Sequence, residues 1–321
     1  LNPLKIQELG MGIIRGGDAE YHDGEPTLEE KTVKLEETIG VCLQNDPCVL
    51  KLSGKYLGAD EAMIISRSDQ VKAVKTLDLS DNQITDEGLK SLLESENLAV
   101  VEELHLGVNY ITDQGVQNAA ASPALALKNL KGLVLSDNKL TDASVAELVK
   151  SPNFDRLEFL DVGWNEIGNG TVRALGETEH MASLKKLELE RGYIDSEGIN
   201  ELVKGRVIEQ LRELNLSANK LKDDAIQILA ATPKLTSLRV LRLSQNLIGD
   251  EGAKALGEST TLTGLTHLYM GRNYFGPEGA KAVSETRTLI NLKVLMLQEG
   301  VETTPGLVNY SRPELLRPED P

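Results

Sequence analysis

The chain has 321 residues, 40% of them hydrophobic and 26% charged. Its 50 Asp and Glu outnumber 34 Lys and Arg, giving a formal net charge of -16, which excludes the broad basic footprint that nucleic acid or an anionic membrane needs. No apolar run approaches the ~20 residues of a membrane-spanning helix, and with aromatics at 3% the core has to be built from Leu, Ile, Val and Ala.

Residues 1–46 carry no repeat and read as an N-terminal capping segment. The chain opens on Leu1, not methionine, which is consistent with an upstream segment lying outside this sequence. The stretch Gly10–Gly24 is glycine-rich and supports no assignment. Thr27 and Glu30 have capping-box spacing, and Leu28, Leu35, Ile39, Cys42 and Leu43 suit one face of a helix covering the first strand. Cys42 and Cys48 are the only cysteines. Free thiols in a reducing compartment are expected, with one local disulfide as the alternative.

From residue 47 to 300 a single pattern governs the chain: L-x-x-L-x-L-x-x-N, closing at Asn82, Asn109, Asn138, Asn165, Asn219, Asn246 and Asn273. The steps are 27, 29, 27, 54, 27 and 27 residues, and the double step holds a copy with Gly192 in the Asn place. In V-K-T-L-D-L-S-D-N, Val74, Leu77 and Leu79 alternate with Thr76, Asp78 and Ser80, as in a short strand with one buried face. Asn82 follows where the chain turns, and its amide can satisfy backbone groups otherwise buried unpaired. Ile84 re-enters the core, Thr85 and Asp86 offer a helix N-cap, and Leu89, Leu92 and Leu93 form a helical face.

The slots two, seven and ten residues after the Asn position are apolar in all eight copies. The cap slot reads Asp86, Asp113, Asp142, Asn169, Ser196, Asp223 and Asp250, then Pro277. Aspartate there suits a helix N-terminus and explains part of the acidic excess without a partner. Degenerate copies with Leu50 and Leu52, and with Leu292, Leu295 and Leu297, bring the strands to ten. One such unit cannot bury its own apolar face, so the period specifies a stacked α/β solenoid. Residues 301–321 form a tail carrying Pro305, Pro313, Pro318 and Pro321, expected to be extended.

Segments such as L-S-D-N-Q-I-T-D-E-G-L-K-S-L and L-S-Q-N-L-I-G-D-E-G-A-K-A-L resemble the ribonuclease-inhibitor-like branch of the leucine-rich-repeat family, over about residues 47–300. The resemblance implies a right-handed horseshoe, with about ten parallel strands on the concave face, helices on the convex face, and a partner protein held on the concave side. The near-constant 27-residue period and the two cysteines depart from nuclease inhibitors of this fold and look more like bacterial members. There is no G-x-x-x-x-G-K-[ST] loop, as a sensor ATPase would need.

The alternation assigns the outward row Lys51, Asp78, His105, Val134, Asp161, Glu188, Asn215, Arg242, Tyr269 and Met296. Two candidate footprints stand out. Phe159, Asp161, Trp164, Glu188 and Glu190 put aromatics beside carboxylates, and Arg242, His267, Tyr269, Arg272 and Tyr274 combine aromatics with positive charge. Trp, Tyr and Arg dominate binding hot spots; against that, Trp164 can simply pack on neighbouring turns. Tyr56, Tyr110, Tyr193 and Tyr274 share the slot after the Asn position, where packing on the next repeat is the simpler reading. Asp161 beside Glu188 would raise a carboxylate pKa, although solvated acidic faces are commoner than catalytic dyads.

His22, His105, His180 and His267 are too dispersed for a metal motif, and no H-E-x-x-H or paired C-x-x-C occurs. The expectation is therefore a non-enzymatic scaffold without metal or cofactor. Its partner is a protein, a basic one if the acidic balance steers recognition, with no nucleic acid and no membrane insertion. A place in a larger complex and a cytoplasmic location fit, with a secreted bacterial effector or an organelle as other settings. GTPase activation of the leucine-rich-repeat type is the alternative, with Arg191 in E-R-G-Y as the residue to suspect.

Overall fold

A computed structural model describes residues 26–297. The glycine-rich stretch, His22, the slot at Gly300 and the proline-bearing tail lie outside the described residues. The chain divides into two compact units, Leu1–Leu130 and Lys131–Pro321. The boundary falls in the one 29-residue step, after the longer connection S-P-A-L-A-L-K-N-L.

The first unit contains α1 (Leu28–Leu43), β1 (Val49–Lys51), α2 (Ala59–Arg67), β2 (Thr76–Asp78), α3 (Asp86–Leu93), β3 (Glu103–His105) and α4 (Asp113–Ala121). The second contains β4 (Gly132–Val134), α5 (Asp142–Lys150), β5 (Phe159–Asp161), α6 (Asn169–Glu177), β6 (Lys186–Glu188), α7 (Ser196–Leu202), β7 (Glu213–Asn215), α8 (Asp223–Ala231), β8 (Val240–Arg242), α9 (Asp250–Gly257), β9 (His267–Tyr269), α10 (Pro277–Ser284) and β10 (Val294–Met296). Among the described residues ten three-residue strands thus alternate with ten α-helices, and within each unit neighbouring strands pair in parallel and in chain order. This is an α/β leucine-rich-repeat solenoid. No helix among the described residues is long and apolar enough to cross a membrane.

The register is the sequence period made physical. Leu160, Leu187, Leu214, Leu241 and Leu268 are successive partners across β5 to β9, and all are fully buried. The slots after each Asn also lie in the core: Ile167, Ile194, Leu221 and Ile248 are fully buried, as are Val172, Ile199 and Ile226 on the helices. At about 25 cal/mol per Å2 of apolar surface, each repeat gains this stabilisation only where a neighbour covers it.

The asparagines form the expected ladder. Asn246 Oδ1 accepts the Asn219 and Leu221 N–H groups at 3.2 and 3.1 Å, while its Nδ2 donates to the Leu216, Leu243 and Ser244 carbonyls at 2.9, 3.0 and 3.3 Å. Asn82 does the same for Lys55, Leu57, Leu52 and Leu79. The residue just before the Asn slot is left-handed in each described copy from Asp81 on, with φ between 51° and 57° at Asp81, Val108, Asp137, Trp164, Arg191, Ala218, Gln245 and Arg272.

The helix caps need a correction. The cap residues are Thr85, Thr112 and Thr141, not the aspartates that follow them. Asp86, Asp142, Asp223 and Asp250 instead serve the next repeat. Asp142 accepts the N–H groups of Gly168 and Thr171 at 2.7 and 2.9 Å, Asp223 those of Gly249 and Gly252, and Asp250 those of Gly276 and Gly279. Glycine follows from this contact: a Cβ on Gly252 would lie 2.7 Å from Asp223 Oδ1, and on Gly279 2.6 Å from Asp250 Oδ1. The acidic excess is still partly structural, but it joins repeats and does not merely cap each one.

At the N-terminus the capping box is present, with Glu30 N–H donating to Thr27 Oγ1 and Thr27 N–H to Glu30 Oε2. Leu35 and Ile39 are buried, while Leu28, expected on the same face, is exposed. Cys42 and Cys48 are both free.

Candidate functional site

All ten candidate residues fall in the second unit, and they separate onto two surfaces. Phe159, Asp161, Glu188, Arg242, His267 and Tyr269 lie on strands, with Glu190 just beyond β6. Trp164, Arg272 and Tyr274 lie in the turns after β5 and β9, with Trp164 and Arg272 left-handed at φ 56°.

On the strand face the two footprints are continuous, because the register links Asp161, Glu188, Asn215, Arg242 and Tyr269 as successive partners. At ~4.8 Å per strand, β5 to β9 spans roughly 19 Å. At one end Lys186 Nζ sits 4.5 Å above the Phe159 ring and 3.3 Å from Glu188. Glu190 Oε2 accepts a hydrogen bond from Asn215 Nδ2 at 3.2 Å, and Asn215 is buried although its row faces outward. Asp161 Oδ1 accepts the Gly163 N–H at 3.0 Å.

Burial is the main cause that pushes the Asp161 carboxyl above the usual aspartate range. The charge of Glu188 adds to it, while the Gly163 N–H, the Ser136 hydroxyl and Lys186 oppose it. The sequence pointed to the Glu188 pairing as the source. It contributes less than burial does.

At the other end the Arg242 guanidinium lies 5.1 Å from the Tyr269 ring centre and 3.7 Å from Glu213 Oε2. Its buried Nη1 has no hydrogen-bond partner among the described residues. His267 stacks beside Tyr269, with ring centres 6.4 Å apart, and its Nδ1 is 2.9 Å from Thr266 Oγ1.

In the turns, the Arg191 guanidinium lies 4.2 Å over the Trp164 ring, and Lys220 Nζ 4.7 Å over the Tyr193 ring. Trp164 is thus held by one neighbour yet stays 45% exposed, and Tyr274 is 75% exposed. Arg191, the residue suspected for GTPase activation, has its guanidinium engaged on an indole. Sequence reading placed Lys186 and Glu213 in the outward row two residues before the central one and Tyr193 in the slot after the Asn, without choosing them as site residues, and it missed Lys220. Their signal was available in the slots flanking each Asn and two residues before the central row, read as columns across repeats.

Elsewhere, a cleft of about 380 Å3 opens between α3 and α4 of the first unit, lined by Lys90, Leu93, Glu94, Asn118, Ala119 and Leu125. Among the described residues no group of three or more His, Cys, Asp or Glu is placed to hold a metal ion.

Three stretches, 74–93, 234–257 and 261–284, match the family model described as Leucine Rich repeat. With the ten-strand solenoid this defines the class: the chain is a leucine-rich-repeat protein. Comparison with curated proteins finds no match. Among solved structures the chain is similar to one described as "Crystal structure of TLR13-ssRNA13 complex", at 18% identity and a TM-score of 0.47. The match covers 85% of this chain and 34% of that one, so this chain spans about a third of its length.

Proposed function

We propose that this chain is a non-catalytic scaffold that holds a partner protein on the strand face of β5–β9. The observation that carries the reading is Arg242, a partly exposed guanidinium held on Tyr269 and paired at 3.7 Å with Glu213. Aromatic and arginine anchors of this kind dominate binding energy. The other end of the face offers Asp161, Glu188 and Glu190 to basic side chains, so the partner presents an acceptor at one end and positive charge at the other. The 27-residue helix-bearing repeats favour the ribonuclease-inhibitor-like branch, and the two free thiols fit a reducing compartment.

The test is affinity capture from the source cells with the native chain as bait, repeated with Tyr269→Ala combined with Glu188→Ala. A protein retained by the native chain and lost by a variant with unchanged melting temperature supports the footprint. A variant that retains every partner overturns it.

A further inference from the structure

We propose that the turn-side rim of the second unit binds an extended acidic segment of a partner protein. The site is separate from the strand face and does not depend on it. Its core is Trp164, Arg191, Tyr193, Lys220, Arg272 and Tyr274, all exposed.

Three observations converge. First, the charge of this rim runs against the chain. The protein carries a net -16, and elsewhere in this unit Lys185, Lys186, Lys234 and Arg242 each stand within 4.0 Å of a glutamate. Among the described residues no carboxylate comes within 4.0 Å of Arg191, Lys220 or Arg272. Two of these cations lie on aromatic rings instead, which orders them while leaving their charge unneutralised.

Second, exposed apolar surface gathers here. Trp164, Tyr193, Leu247 and Tyr274 are four of the six exposed large apolar residues described in this unit, Ile290 and Met296 being the others. Such residues scattered singly need no explanation, but a contiguous set beside positive charge marks an interaction surface.

Third, the backbone disfavours the residues found. Trp164, Arg191 and Arg272 sit at φ 56°, a conformation that costs a side-chain-bearing residue about 1–2 kcal/mol and glycine almost nothing. Gly54 occupies the equivalent place in the first repeat at φ 66°, whereas Asp81, Val108, Asp137, Ala218 and Gln245 fill it in others. At three of these positions in the second unit the side chain carried against that preference is an indole or a guanidinium.

The occupant follows from the spacing and from the acids nearby. Arg191 and Lys220 belong to adjacent repeats, ~4.8 Å apart along the sheet direction, and Arg272 lies two repeats further. An extended peptide presents alternate side chains every ~6.6 Å, so carboxylates can reach the cations while aliphatic residues between them cover the rings. A nucleic-acid strand carries charge at every unit and cannot skip positions; Asp137 and Glu166 on the same rim, both exposed, would oppose it.

The experiment uses fluorescence anisotropy with the full chain and a short fluorescein-labelled peptide of Glu and Asp interleaved with Leu and Val. A Gln/Asn counterpart of the peptide and a labelled oligothymidylate run alongside. We expect saturable binding that weakens with salt, falls about tenfold or more in Arg191→Glu/Lys220→Glu/Arg272→Glu, and is lost with the Gln/Asn peptide. Tyr269→Ala, a strand-face change, leaves it unaltered, so the two surfaces fail or succeed independently. Circular dichroism and a thermal melt establish that the triple variant is folded; if it is not, the Gln triple replaces it. No binding of the acidic peptide, equal binding by the triple variant, or tighter binding of the oligothymidylate overturns the proposal.

Discussion

The strand face and the turn rim of residues 131–297 are built from the same repeats, a few residues apart in each, yet they handle charge in opposite ways. On the strand face Lys186 pairs with Glu188 and Arg242 with Glu213, while Glu190 accepts from the neutral Asn215 amide. On the rim Arg191 and Lys220 lie on rings, and neither they nor Arg272 meet a carboxylate within 4.0 Å among the described residues. The cause is the pleat. Strand spacing brings side chains of the same strand and of diagonal positions on the next within reach, so a cation finds a carboxylate there even though Asp161 and Glu188, directly opposite, are like charges. In the turn, the left-handed residue points away from the sheet, and its neighbours constrain its charge less. The lesson is that surface composition of a repeat protein has to be read column by column, since each column meets different physics.

The largest effect expected from breaking this arrangement comes at the hinge between the two surfaces. Asn246→Ala removes the bonding of five backbone groups at once. With buried polar groups left unpaired at about 1–3 kcal/mol each, and some regaining water, a loss of roughly 3 kcal/mol or more in chemical denaturation is expected. A loss below about 1 kcal/mol would mean the ladder is not what holds the turns. Next comes Gly163→Ala, just past Asp161. Its Cβ would stand 2.9 Å from the Glu190 carbonyl oxygen and 3.1 Å from the Glu190 nitrogen, so the strand ends must part. Overpacking of this kind costs about 1–3 kcal/mol, and the melting temperature of the variant measures it.

How much of this was legible beforehand differs by level. The period in Leu, Asn and the helix slots states the core directly, because those side chains are buried by the same kind of contact from copy to copy, with Asn138 and Asn273 half-buried. Leu160 to Leu268 could be paired from the sequence alone. The aspartates after Thr85 and its counterparts were read one residue and one repeat off, because a cap signal is local whereas the contact from Asp142 to Gly168 spans 26 residues. Phe159 and Tyr269 were found by alternation, but their electrostatic setting was not, since Lys186 and Glu213 come from neighbouring strands. The left-handed position of Trp164 was hidden too: Trp, Arg and Gln there defy the glycine or asparagine that marks such a turn.

A smaller effect separates burial from charge on the strand face. The native Asp161 carboxyl holds its proton more tightly than an unfolded aspartate does. Its contribution therefore favours the fold at low pH and turns against it as pH rises from the ordinary aspartate range through the raised value. Asp161→Asn keeps an acceptor for the Gly163 N–H and cannot ionise. The variant should be more stable than the native chain at neutral pH, with the difference shrinking in acid, as denaturation midpoints across pH would record. An unchanged difference at all pH values would assign Asp161 no desolvation cost.

The smallest predicted change discriminates most finely between the two surfaces. Arg272→Gly removes one rim cation and puts glycine at φ 56°. Relief of the left-handed conformation, less the greater freedom of glycine in the unfolded chain, should leave the variant about 0.5–1 kcal/mol more stable. If Arg272 serves binding, the same change weakens capture of an acidic peptide. Stability and affinity then move in opposite directions, which no purely structural role for the side chain would produce. A variant that loses stability instead would show that Arg272 is held in place by contacts worth more than the conformation it strains.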